Sequence, residues 1–283
     1  MVKMLLRMSA ALALAASLAV SLSAQWPAHP TPGVPENPDG SPNLAGPAPR
    51  TADGRPDFSG LWIRGDGQLG PAGGGVFHGP PVTFTAGPPV TTFRDVGANY
   101  PGGLPMRPWA AELLKERRAA NDKDNPDAQC LPMGLMQFHN HGQPRKMIQT
   151  PTELLIVYEA NYGLRQIFLD GRKLPDDDPT PWWYGYSVGH WEGDTLVVET
   201  TGLRDGGWLD VIGHPLTDAA KITERFRRPT FGTVEIDVTI DDAKAYTKPW
   251  TVRVNQRILL NSELIEFICN ENDQFKPYLA RQK

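Results

Sequence analysis

An aspartate and a histidine four residues apart, Asp210 and His214, form the leading candidate for acid–base chemistry in this chain. A carboxylate can hydrogen-bond an imidazole, orient the ring and raise its basicity. The pair falls in a long connection between predicted strands, where reactive groups tend to lie. We therefore predict that His214 is a general base oriented by Asp210, and that Tyr186 or Glu224 donates a proton. A turn stabilised by the same Asp–His contact is the alternative.

Aromatic residues cluster at 182–186, and the preceding predicted hairpin adds more. Such a group either fills a core or lines a cavity for an apolar or ring-shaped ligand. Polar side chains on nearby strands would project into the same cavity. The predicted ligand-binding residues are Trp183, Tyr184, Tyr158, Arg165 and Glu199. Plain core packing is the competing interpretation.

A serine motif also occurs here, because residues Gly185–Gly189 match the Gly-x-Ser-x-Gly pattern of serine hydrolases. A true nucleophile elbow lies on a turn between a strand and a helix. Ser187 instead falls inside a predicted strand, which a Glu-Gly-Asp turn connects to another strand. The pattern therefore favours a strand whose glycines admit neighbouring tryptophans.

Two histidines, His139 and His141, form a His-x-His pair that could present two imidazoles to one metal ion. A third ligand would come from a distant residue: His190, His214, Glu224 or Asp210. The polar surroundings favour solvated loop histidines. The aspartates at 176–178 lack the glycine and terminal glutamate of an EF-hand loop. We predict neither a metal site nor a cofactor.

Residues 1–24 have the three parts of a secretory signal peptide. Lys3 and Arg7 precede an apolar stretch of about 15 residues, short of the roughly 20 that span a bilayer. An uncleaved membrane anchor is the alternative. No second apolar run of that length follows, so we expect a periplasmic or secreted protein without a membrane span after cleavage. The net charge of −4, without a Lys/Arg block, argues against nucleic-acid binding.

The two cysteines, Cys130 and Cys269, are expected to form a disulfide. An even number of cysteines in an exported protein usually pairs. A reactive or metal-binding thiol pair is the alternative, but no Cys-x-x-Cys motif is present.

Alternating apolar and polar residues between Met147 and Asn270 predict one β-hairpin after another. The predicted strands are Lys146–Tyr158, Gly163–Leu169, Tyr184–Trp191, Thr195–Leu203, Ala220–Arg227, Thr233–Ile240, Trp250–Leu260 and Glu263–Cys269. A further strand surrounds Trp62, and a helix is expected near 107–121. Residues 25–55 are a Pro-rich arm. Residues 56–283 are predicted to form an all-β domain, an antiparallel barrel of about 8–9 strands, with an open sandwich as the alternative.

Two resemblances support this prediction. Ser59-Gly60-Leu61-Trp62 resembles the Gly-x-Trp start of lipocalin-type barrels. That resemblance implies that Trp62 plugs the closed end of the barrel and that an arginine near the last strands, Arg253 or Arg257, packs on it. The lipocalin Thr-Asp-Tyr signature is absent, and a long segment containing the predicted helix separates Trp62 from the next strand.

The second resemblance covers most of the chain after the leader. Residues 53–62 (DGRPDFSGLW), 191–199 (WEGDTLVVE) and 223–229 (TERFRRP) together resemble a widespread family of exported bacterial proteins. The resemblance implies export and a shared fold, and it supplies no catalytic residues.

Three functional hypotheses follow from the sequence. The first is an exported lipocalin-like barrel that binds a small apolar or aromatic molecule inside the barrel or at its mouth. The second is a cofactor-independent lyase, isomerase or hydrolase that uses the His214–Asp210 pair. The third is an envelope protein that docks a partner through its Pro-rich arm.

Overall fold

The computed structural model describes residues 29–66, 79–175 and 181–269, together with the backbone at 68–69 and 75–76. The signal peptide predicted at 1–24 and the aspartates at 176–178 lie outside the described residues. The chain divides into two units, residues 1–30 and residues 31–283. The second unit contains all of the strands and helices below.

The described residues contain thirteen strands. They are β1 (Gly60–Arg64), β2 (Gln68–Leu69), β3 (Gly75–Val76), β4 (Arg145–Gln149), β5 (Glu153–Tyr158), β6 (Leu164–Phe168), β7 (Tyr186–Glu192), β8 (Thr195–Thr201), β9 (Gly207–Trp208), β10 (Pro215–Leu216), β11 (Lys221–Thr230), β12 (Thr233–Asp241) and β13 (Trp250–Ile258). Two-stranded sheets join β2 to β3 and β9 to β10. The others close into a barrel in the order β1-β13-β12-β11-β8-β7-β6-β5-β4. The predicted all-β barrel is confirmed.

The barrel is mixed rather than wholly antiparallel, because β6 and β7 run parallel. Nine strands in a ring cannot alternate in direction all the way round, so one parallel pair is unavoidable. Because the pair is parallel, β7 begins at the same end of the barrel as β6. The parallel pairing is short and joins Ile167 to Ser187 and Phe168 to Val188.

The number of strands in the barrel agrees with the prediction through two errors that compensate each other. The predicted strand Lys146–Tyr158 is two strands, β4 and β5, with a turn around Pro151. The predicted strand Glu263–Cys269 is not a strand in the described residues.

Alternate side chains of the barrel strands fill its interior. On β12, the apolar residues that the sequence placed on one face are fully buried: Val234, Ile236, Val238 and Ile240. On β11, the inward positions are Ile222, Glu224, Phe226 and Arg228. The interior is therefore mainly apolar but receives a carboxylate and a guanidinium from the same strand.

Trp62 points into the barrel near one end and is fully buried. Its indole Nε1 donates to the Phe58 carbonyl at 3.0 Å. The cation over its ring is Arg228, with Cζ at 4.8 Å from the ring centroid. The prediction that Arg253 or Arg257 packs on Trp62 is wrong. Both arginines occupy outward-facing positions of β13, between residues that face the interior, and they hydrogen-bond the segment 80–85.

The long predicted helix is present as α1 (Pro108–Ala119) and is followed by the short α2 (Leu135–Asn140). Ala110 and Leu114 bury the inner face of α1, whereas Trp109 is 46% exposed. The predicted disulfide Cys130–Cys269 is present, with Cα atoms 5.7 Å apart. It links the segment between α1 and α2 to the chain after β13.

Candidate functional site

A pocket of about 350 Å³ opens in the barrel wall beside the parallel strands β6 and β7. Continuing their register would bring residues 184–186 alongside β6, but the chain leaves the ladder there. Gly185, at a φ of +66°, turns the backbone away. Trp182 instead accepts from the Arg204 amide and donates to the Gly202 carbonyl. The wall is therefore unpaired beside the first residues of β6.

Five aromatic residues line this wall pocket: Phe168, Trp182, Trp183, Tyr184 and Tyr186. Ring contacts hold the group together, with centroid separations of 5.3 Å for Phe168–Tyr186 and 6.0 Å for Trp182–Tyr186. Tyr184 reaches inward and meets Phe138 edge-on at 5.2 Å. Burial raises the pKa of Tyr184 to about 12, so its hydroxyl stays protonated at neutral pH. The pocket thus presents ring faces and hydroxyl groups.

Arg165 of β6 also lines the pocket, and its guanidinium is buried in the barrel, where it pairs with Glu224 of β11. Arg165 Nη1 donates to Glu224 Oε1 at 3.0 Å, and Nη2 donates to Oε2 and to the hydroxyls of Ser187 and Thr200. Burial alone would disfavour the Glu224 carboxylate, but the charge of Arg165 and a hydrogen bond from His139 lower its pKa to about 2. The pair is therefore ionised inside the barrel.

His139 of α2 completes this buried cluster. Its Nε2 lies 2.8 Å from Glu224 Oε1, and its Nδ1 lies 3.5 Å from the Tyr158 hydroxyl. Burial lowers the pKa of His139, so the ring is neutral. An ionised carboxylate only accepts, which assigns the proton to Nε2 and leaves Nδ1 to accept from Tyr158. Tyr158, His139 and Glu224 thus form a hydrogen-bonded chain that ends on Arg165.

The predicted His214–Asp210 contact is present, with Nδ1 and Oδ2 2.6 Å apart. Both residues are buried. Asp210 also accepts from the backbone amides of Val96, Gly213 and His214 at 2.8 to 3.0 Å. The Asp210 carboxylate therefore connects its own loop to the segment before α1. This arrangement corresponds to the alternative in which the Asp–His contact stabilises a turn. Asp95 lies nearby, with Oδ1 3.9 Å from His214 Nδ1, so that Asp95, Asp210 and His214 form one cluster. The backbone hydrogen bonds of Asp210 explain this cluster as part of the loop structure.

The predicted catalytic residues fall into three separate groups by their described contacts. His214 and Asp210 bind each other, Glu224 binds His139 and Arg165, and Tyr186 accepts from Arg172 on the outer wall at 3.2 Å. Neither Tyr186 nor Glu224 contacts the His214 ring among these bonds. In relation to His139, the sequence named Glu224 only as one of several possible metal ligands beside the His139–His141 pair, and its direct hydrogen bond with His139 was not predicted. The alternation of Glu224 with Ile222 and Phe226 was the available signal that it faces inward.

The predicted ligand residues divide in the same way. Trp183, Tyr184 and Arg165 line the wall pocket. Tyr158 lies in the barrel interior and stacks on Phe138 at 4.4 Å. Glu199 projects outward and forms an ion pair with Lys221. The inward polar residue on β8 is its neighbour Thr200, so the expectation that Glu199 faces the lumen is wrong.

The remaining motifs have structural roles among the described residues. Ser187 lies within β7, as the strand interpretation expects, and its Oγ lies 2.8 Å from Thr200 Oγ1. His139 and His141 are buried rather than solvated, and their rings meet different neighbours. His141 packs edge-on against Phe93 at 4.9 Å and accepts from the Gln143 amide. The two imidazoles therefore do not converge on one ion.

Comparison with known proteins finds no matching family model, no matching curated relative and no matching solved structure. Among the described residues, no helix combines the length and apolar character needed to cross a membrane.

Proposed function

We propose that this protein is an exported β-barrel that binds a small apolar or aromatic molecule in the wall pocket between β6 and β7. The observation that carries the proposal is the lining of five aromatic residues around about 350 Å³. Small-molecule sites typically run from about 300 to 1,000 Å³ and are lined mainly by apolar and aromatic side chains with few polar groups. A volume near the lower end suits one or two fused rings.

The rings that line the pocket are held in place before any ligand arrives. Backbone hydrogen bonds to Gly202 and Arg204 fix the main chain of Trp182, and its ring meets Tyr186 edge-on. Tyr184 packs edge-on against Phe138 in the interior. Behind the pocket, the ion pair with Glu224 holds Arg165. A preformed site loses less conformational entropy on binding, which supports recognition of a rigid ring.

Export is part of the same proposal. The disulfide Cys130–Cys269 is consistent with an oxidising compartment. The signal-peptide pattern of residues 1–24 and the resemblance to exported bacterial proteins support periplasmic or secreted localisation.

The enzyme alternative receives less support from the geometry. A general base must reach the proton that it abstracts. The His214 side chain is only 5% exposed, and Asp210 is occupied by backbone amides. The proton donors predicted for it, Tyr186 and Glu224, have other partners.

Calorimetric titration with 2-naphthalenemethanol tests the binding proposal. Trp182 is 48% exposed and lines the pocket, whereas Trp109 on α1 is 46% exposed and does not. We expect Trp182→Ala to raise Kd about three- to tenfold, the worth of one aromatic contact. The matched control Trp109→Ala should leave Kd unchanged. No binding by the unmodified protein, or equal Kd values for both variants, would refute the proposal.

A further inference from the structure

Three arginines lie at or beside the wall pocket. Among the described residues, its lining contains no aspartate or glutamate. Arg172 lies over the Phe168 ring, with Cζ 3.8 Å from the centroid, and Arg204 lies over the Trp183 ring at 4.4 Å. Together with Arg165, three guanidinium groups therefore contact or line the aromatic group.

Two of these three arginines already have carboxylate partners. Arg165 pairs with Glu224 inside the barrel, and Arg172 pairs with Asp170 through both carboxylate oxygens. Arg204 is exposed and forms no ion pair in the described part of the chain. Of these three arginines, Arg204 is the one whose charge a ligand can neutralise without displacing a carboxylate of the described residues.

The position of Arg204 is fixed by the same backbone that forms the pocket. Its amide donates to the Trp182 carbonyl at 3.0 Å, and its side chain stacks on Trp183. A guanidinium stacked on an indole keeps the N–H groups on its edge available, and those groups match a carboxylate in a two-point contact. Arg204 is not itself a lining residue, but its charge lies against Trp183, one of the rings that line the pocket.

We propose that the ligand of the wall pocket is an aromatic acid, whose ring lies among Trp182, Trp183 and Tyr186 and whose anionic group binds Arg204. This inference rests on the proposed ring-binding function and adds the class of ligand. A carboxylate is the simplest anionic group that fits a single planar guanidinium.

Two probes with one ring system separate the inference from the function that it rests on. 2-Naphthoate carries a carboxylate, and 2-naphthalenemethanol carries a neutral hydroxymethyl group at the same position. Titrations in 0.15 M salt should show naphthoate binding about fivefold tighter, the upper range for an exposed charge pair. Arg204→Gln should bring the two affinities to within twofold. The matched control Arg118→Gln removes an exposed arginine from α1 and should keep the preference.

The other possible results overturn either the role of Arg204 or the ring-binding function. Equal binding of the two probes by the unmodified protein, or a preference that survives Arg204→Gln, overturns the role of Arg204 and leaves ring binding intact. Loss of the preference in Arg118→Gln as well would show general charge attraction and would also overturn it. Failure of both probes to bind overturns the proposed function itself.

Discussion

Two regions of the barrel wall each hold a buried arginine that pairs with carboxylate groups, but the two regions differ in how far their strands are hydrogen-bonded to each other. The wall of β12 and β13 is paired continuously from Thr233–Arg257 to Ile240–Trp250. The wall of β6 and β7 is paired only at Ile167–Ser187 and Phe168–Val188. The first wall is closed along its length, and the second leaves space for the aromatic pocket.

The two arginines differ in how their remaining donors are satisfied. Arg253 on β13 binds Asp237 through Nε and Nη2, and its Nη1 donates to the Thr85 carbonyl at 2.8 Å. The segment that contains Thr85 also pairs with the backbone of Arg253 through Pro89 and Thr91. Arg165 on β6 instead points into the barrel, where its Nη atoms donate to Glu224, Ser187 and Thr200, and its Nε has no hydrogen-bond partner in the described structure. An arginine–carboxylate pair thus lies in the closed wall of β12 and β13 and also beside the pocket in the wall of β6 and β7.

The largest expected effect comes from removing the carboxylate behind the open wall. Glu224→Ala would leave Arg165 buried without its partner, which typically costs about 3–5 kcal/mol of unfolding free energy. Urea unfolding measures the loss. Glu199→Gln is the matched control, because it removes an exposed ion pair from the adjacent strand and should cost less than about 1 kcal/mol. Equal small losses would show that the buried pair does not support this wall.

A methyl group at Gly185 should strain the turn that opens the wall. A Cβ there would lie 2.5 Å from Thr200 Cγ2 and 2.6 Å from the Thr201 carbonyl oxygen, at a φ of +66°. We expect Gly185→Ala to cost about 3 kcal/mol from backbone strain and overpacking, measured by thermal or urea unfolding. Gly193→Ala, at a φ of +60° with open space around it, should cost about 1 kcal/mol. Similar costs for the two variants would contradict the close packing at Gly185.

Acidification should destabilise the protein through the buried histidines His139, within α2, and His141, at the C-cap of α2. The strands of the closed wall, β12 and β13, contain no histidine. Burial, with the nearby charge of Arg145, lowers the pKa of His141 from its usual 6.5 to about 3. Between these values the unfolded chain binds the proton and the folded protein does not, so stability falls as the pH drops. From pH 7.5 to 5.0 the His141 contribution is about 2 kcal/mol.

His141→Asn tests this acid response, since it removes the group that must be kept neutral. Unfolding free energies at pH 7.5 and 5.0 should differ less in this variant than in the unmodified protein. The exposed ring of His190 supplies the control, and His190→Asn should keep the original pH dependence. An unchanged slope in His141→Asn would contradict the account of its burial.

The sequence predicted the parts of this fold that depend on local pattern. Alternation predicted the strand Thr233–Ile240, which β12 contains, and the helix expected near 107–121 is α1. The division between β4 and β5 was missed although Pro151 interrupts the apolar run, a position that a continuous inner strand would not accept.

The arrangement of the site depends on features that no local pattern carries. The pocket lies beside the parallel pair β6–β7, which the odd number of strands requires, at the point where the chain before β7 leaves the ladder. The contact between His139 and Glu224 joins residues 85 positions apart through closure of the barrel. The sequence identified the aromatic cluster at 182–186 as a candidate ligand site. Its location in the barrel wall rather than in the lumen could not be predicted, because it depends on the order and pairing of the strands.

A crystal structure of the protein with 2-naphthalenemethanol tests the central claim most directly, because it locates the ring. The account predicts electron density for the naphthalene between β6 and β7, in contact with Trp182, Trp183 and Tyr186. Density at another surface or within the barrel lumen, with the wall pocket empty, would contradict it.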